Sequence, residues 1–127
     1  MQVGEDTRAE GELRRLAPVL GQDKAPALLA LASRSGVPVH LRELPGRRYP
    51  PALETTVYQL VAEAIAEAAR QLEVRVADGG DHLLAEIHDG VTEPRLTPAL
   101  RQVADRAEAL GGSLEPVDGR LRLTLPL

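Results

Sequence analysis

From Pro51 to Gln71 the sequence PALETTVYQLVAEAIAEAARQ repeats apolar residues at helical spacing. Leu53, Val57, Leu60, Val61, Ala64, Ile65 and Ala68 recur at i, i+4, i+7, i+8 and i+11, so they share one face of a helix with a buried stripe. The spacing predicts a core helix over 51–71, with Pro51 in the first turn, where a missing N–H costs nothing. With a turn of about 100° per residue, Thr56, Glu63, Glu67 and Arg70 fall along one border of that face, where a helix can line a cleft. On the helix alone, these charges also read as ordinary surface groups; a Glu67–Arg70 pair contributes only about 0.2–0.5 kcal/mol.

The rest of the chain alternates between the two periods. Glu10 to Leu20 reads as helical, with Leu13, Leu16 and Leu20 on one side and Pro18 ending or bending it. Ala25 to Ser33 is a short apolar helix closed by Ser35-Gly36. In VPVHLREL, Val37, Val39 and Leu41 alternate with polar residues or proline, as in a half-buried strand. PGRRYPP is a loop. Val74 and Val76, the DGGD turn, and Leu83, Ala85 and Ile87 predict a hairpin. Leu96, Leu100, Val103, Ala104, Ala107 and Leu110 predict a second amphipathic helix stopped by Gly111-Gly112. Ser113 to Val117 and Leu121 to Leu125 form a closing hairpin around Asp118-Gly119. Strands apolar on one face and helices apolar on one stripe pack as an α/β two-layer sandwich. Its sheet is mixed, mostly antiparallel, with helices on one face.

Composition narrows the chemistry. The chain has 127 residues, no cysteine, no phenylalanine, no tryptophan and two tyrosines, so the core is aliphatic and there is neither a thiolate nucleophile nor a cysteine-bound zinc. The scarcity of stacking platforms and a net charge of −4 argue against nucleic acid as a partner, although Arg47-Arg48 is a local basic pair. No apolar run approaches a membrane span, which predicts a soluble, cytoplasmic segment without membrane contact. His40, His82 and His88 lack metal-ligand spacing, and Asp78 and Asp81 read as turn residues.

Two stretches resemble the ATP-binding domain of sensor histidine kinases, the Bergerat fold shared with gyrase, a heat-shock chaperone and MutL. RSGVPVHLRELPGRRYPPALETTVYQLVAEAIAEAAR is similar to the first strand and N-box helix of nitrate-sensor-type kinases, and LRQVADRAEALGGSLEPVDGRLRLTLPL to their last helix and closing hairpin. The resemblance implies ATP and Mg²⁺ as cofactors and phosphoryl transfer to a histidine. On it, Glu63 stands at the catalytic glutamate that polarises water or the acceptor. Glu67 stands at the magnesium-holding asparagine, Arg70 at the following basic residue, and Gln71 where a histidine is usual. His88 stands at the adenine-binding aspartate, followed by Asp89 and by Gly90, the surviving glycine. The second glycine motif falls on Ala99, Leu100, Arg101, Gln102 and Val103, and the lid shrinks to VTEPRLTP.

These departures predict weak or no ATP binding: a carboxylate at Glu67 can ligate Mg²⁺ but adds negative charge beside a triphosphate, and the phosphate cradle is gone. Arg95 or Arg101 remains to meet an anion. The resemblance divides the chain into residues 1–35, similar to the end of a dimerisation helix and its linker, and 36–127, the ATPase-like domain. It implies a response regulator or other signalling protein as partner, or a homodimer. Two alternatives stand beside it: a non-catalytic interaction module using the cleft or the Leu13, Leu16, Leu20 stripe, and a divergent active kinase in which Glu67 and His88 serve metal and adenine. An anti-sigma-type kinase fits less well with a helical N-terminal linker.

Overall fold

The computed structural model describes residues 26–68, 70–90 and 95–127. The predicted helix from Glu10 to Leu20, with its leucine stripe, lies outside them, as do Ala69 and residues 91–94 of the predicted lid. In order come α1 (Pro26–Arg34), β1 (Val39–Glu43), α2 (Pro51–Glu67), β2 (Leu72–Asp78), β3 (His82–His88), α3 (Pro98–Ala109), β4 (Ser113–Val117) and β5 (Arg120–Pro126). The five-stranded sheet runs β1-β2-β3-β5-β4. β1 pairs in parallel with β2 across the α2 crossover, and every other pairing is antiparallel. The predicted mixed, mostly antiparallel sheet is therefore observed, and α2 and α3 cover it.

One aliphatic cluster holds the layers together. Leu53, Val57, Leu60, Val61 and Ala64 of α2 and Leu100, Val103 and Ala107 of α3 are buried against Leu72, Val74, Val76, Leu83, Ala85, Ile87, Leu121, Leu123 and Leu125 of the sheet. Every sheet residue in that set is odd-numbered in β3 and β5 and even-numbered in β2, as a pleat with one covered face requires. Thr56, predicted at the cleft border, is fully buried instead; its hydroxyl donates to the Ala52 carbonyl at 2.8 Å, which satisfies it within the helix.

Three boundaries differ from the periodicity. α2 stops at Glu67, not Gln71: Ala68 is extended (φ −71°, ψ 134°), with its N–H turned back to the Ile65 carbonyl. The cause is the sheet. Leu72 must pair with Val39 and donates its N–H to the Pro38 carbonyl at 2.9 Å, so the preceding residues turn the chain rather than extend the helix. β1 begins at Val39 because Val37 is held in a turn by the Ser35 hydroxyl, which accepts its N–H and donates to its carbonyl. α3 begins after Leu96, with Thr97 as N-cap accepting the Leu100 N–H and Pro98 in the first turn.

At its far end α3 closes with Gly111 in the left-handed region (φ 87°). The Gly112 N–H reaches the Ala107 carbonyl and the Gly111 N–H that of Glu108, the six-to-one and five-to-two bonds of a Schellman cap. Gly112 also lies so close to the Thr124 carbonyl that a β-carbon would collide with backbone.

The β2–β3 turn is latched to the loop before α2. Asp78 Oδ1 accepts the Gly80 N–H at 2.8 Å, as turn chemistry predicts. Its Oδ2 accepts from the Tyr49 hydroxyl at 2.7 Å and from Arg47 Nε at 2.8 Å. The Tyr49 hydrogen bond first, then the Gly80 amide and Arg47, lower the Asp78 carboxyl to about 2. A folded-state value below the unfolded value of about 3.9 stabilises the fold above that pH, and the gain disappears as pH falls toward the folded value. Asp78→Asn is therefore expected to lower stability at neutral pH, with the deficit shrinking as urea unfolding is followed from about pH 7 down to about pH 3. A deficit independent of pH would contradict the latch.

Candidate functional site

The last turn of α2, the start of β2, the end of β3, the turn into β5 and the start of α3 line a cleft of about 300 Å³. Ala64, Ala68, Leu72, Ile87, Leu100 and Leu121 give it apolar walls, and Glu67, Asp89, Arg95 and Thr97 supply its polar groups, with His88 at its edge. Of the residues singled out from the sequence, Glu67, His88 and Asp89 meet here. Glu63 is half-buried and does not line the cleft. Arg70 is exposed beyond the end of α2, so the shared helix edge predicted for Glu63, Glu67 and Arg70 does not extend to it. Gly90 is exposed with φ 80°, the left-handed conformation of a turn leaving the strand.

Strand alternation separates His88 from Asp89. Ile87 is buried among the core residues, so His88 belongs to the sheet face turned away from the helices. There its Nε2 lies 3.2 Å from Glu73 Oε1, directly across the β2–β3 ladder. Arg42, bonded to the other Glu73 oxygen at 3.2 Å, holds the Glu73 carboxyl below its ordinary range, and His88 adds to the effect. Asp89, the first residue past the strand, is on the cleft lining. His88, aligned with the adenine-binding position by the resemblance, is thus paired with Glu73 on the sheet face away from the helices.

The cleft is electrically polarised. α2 directs its C-terminal carbonyls, the negative end of its dipole, toward one wall, and Glu67 is its last residue. α3 directs its N-terminus toward the opposite wall, with Arg95 beside it. That N-terminus is poor in free donors: Pro98 has no N–H, and the N–H of Leu100 is held by the Thr97 hydroxyl at 3.3 Å. Ala99 to Val103, aligned with the second glycine motif, are helical as predicted. Thr97 was the lining residue missed in the sequence, although Thr-Pro before an apolar stripe is a helix-start signal. Among the described residues no group of three or more His, Cys, Asp or Glu side chains is gathered for a metal ion. Nor, among them, is any helix long and apolar enough to cross a membrane.

Comparison of sequences finds no matching family model and no matching curated protein. Comparison of structures finds the blue-light activated histidine kinase of Erythrobacter litoralis EL346, with a TM-score of 0.58 and 17% identity over 81% of this chain. It also finds the histidine kinase AdeS of Acinetobacter baumannii, with a TM-score of 0.51 and 15% identity over 80% of this chain. The fold is histidine-kinase-like. The chain spans 42% and 58% of those two kinases.

Placing Glu67 at the negative end of α2 works against helix stability. Glu67→Lys is expected to raise stability by about 0.3–1 kcal/mol at low salt, because a cation suits a helix C-terminus. Urea unfolding checks this, and a loss of stability on substitution would show that Glu67 makes a stabilising contact.

Proposed function

We propose that this chain is an ATP-binding-domain-like module of a two-component signalling protein that retains the nucleotide cleft but binds Mg-ATP weakly or not at all. It acts by contact with a signalling partner, such as a response regulator or a second copy of itself. The observation that supports this reading most is the charge of the cleft. Glu67 and Asp89 both line it, beside the negative end of α2, while the facing start of α3 has its Leu100 amide capped and a proline at its first position.

Carboxylates lining one cleft repel a further negative charge brought beside them, and the more so the less water the cleft holds. A magnesium ion carried with the nucleotide favours these carboxylates; the surplus phosphate charge does not. The donor set therefore does not fit a magnesium triphosphate. Glu63, the residue at the catalytic position, stands outside the cleft lining, which is consistent with the same reading.

One observation favours a second reading, a divergent competent kinase. Asp89 lines the cleft just past the end of β3, where an acceptor for a purine amino group would stand. Calorimetric titration with Mg-ATP separates the two. We expect no saturable heat below about millimolar nucleotide. Micromolar binding that disappears in Asp89→Asn would overturn the proposal in favour of the second reading.

A further inference from the structure

A second cavity, of about 280 Å³, lies at the other end of the helical layer. Leu28 of α1, Val57 and Tyr58 of α2, Val76 of β2, Leu83 of β3 and Tyr49 of the preceding loop line it. It shares no lining residue with the cleft near Glu67, so it goes beyond the reading above.

Two features define what it would take. The chain contains only two aromatic side chains, Tyr49 and Tyr58, and both line this cavity. Elsewhere the core is packed with aliphatic residues alone, so the aromatic contacts an incoming ring could make are concentrated here, at half-buried Tyr58 and at the edge of buried Tyr49. The charges at the rim are also satisfied within the protein. Arg47 donates to Asp78 at 2.8 Å and lies over the Tyr49 ring, 4.5 Å from its centre. Arg48 donates to both oxygens of Glu54, at 2.9 and 2.8 Å. A charged ligand would bring its charge against an apolar wall, which is unfavourable. Concave apolar sites with a few fixed polar groups at the margin are the usual form of a small-molecule site.

We propose that this cavity binds a small, uncharged, planar aromatic molecule, recognised by ring contact with Tyr49 and Tyr58 and independent of the nucleotide-type cleft. Indole is a suitable probe, because the chain has no tryptophan to obscure its fluorescence. In a titration of the full chain we expect saturable indole binding, about tenfold weaker in Ala27→Phe and in Tyr58→Leu. Ala27 is an exposed lining residue, so its substitution fills the cavity without disturbing the core, and an unchanged melting curve verifies this. Benzoate, the anionic counterpart, is expected to bind at least about tenfold more weakly than indole, and Asp89→Asn to leave indole affinity unchanged. Several results would each overturn the proposal: no saturation with indole, equal affinity in Ala27→Phe, equal affinity for benzoate, or a dimer in sedimentation that indole disperses.

Discussion

Burial of one aliphatic face of α2 against one face of the sheet is the interaction on which everything else depends. With no phenylalanine or tryptophan to fill space, Leu60, Val61, Val74, Leu123 and Leu125 must interlock closely, and all five are fully buried. That contact fixes the parity of every strand it touches. Once Ile87 lies under the helices, His88 cannot, and the strand's exit turns Asp89 back toward the cleft. The chemistry available at the site is thus decided by core packing, one residue at a time.

The opposite face of the sheet solves a different problem. Among the described residues no helix covers it, and charged side chains cover it in a continuous set of pairs. Glu86 is nearly inaccessible because Arg122 lies 2.8 Å from one oxygen while Arg75 and Arg120 approach the other at 3.6 Å. Arg75 in turn reaches Glu43 on β1 at 2.8 Å, so the chain of contacts crosses from β1 to β5. Exposed pairs of this kind contribute only about 0–1 kcal/mol each. Removing an arginine from around Glu86 would cost more, because a buried carboxylate would lose a partner.

Much of this was legible in the sequence, and what was not has definite physical causes. The period-two runs Val74, Val76 and Leu83, Ala85, Ile87 identify the hairpin, and the stripe from Leu53 to Ala64 identifies the core helix, because both patterns are dictated by burial. The end of α2 is not, since Ile65 and Ala68 continue the helical stripe while the pairing of Leu72 with Val39 demands a turn. The burial of Glu86 was hidden for the same reason: its position is polar by alternation, and only the arginines gathered from the two neighbouring strands enclose it. The candidate site residues divided likewise. Glu67 was placed on the edge of the helix by its spacing, whereas the positions of His88 and Asp89 depend on the register of β3 against the core.

The central claim is that a histidine-kinase-like scaffold has kept its cleft while the charge and capping at its walls no longer suit a magnesium triphosphate. Backbone amide resonances of the labelled chain, followed during addition of Mg-ATP, test it most directly. Retention of the scaffold without the grip predicts well-dispersed resonances that show no saturable displacement below about millimolar nucleotide. Saturable displacements clustered at Glu67, Asp89 and Thr97 would contradict it.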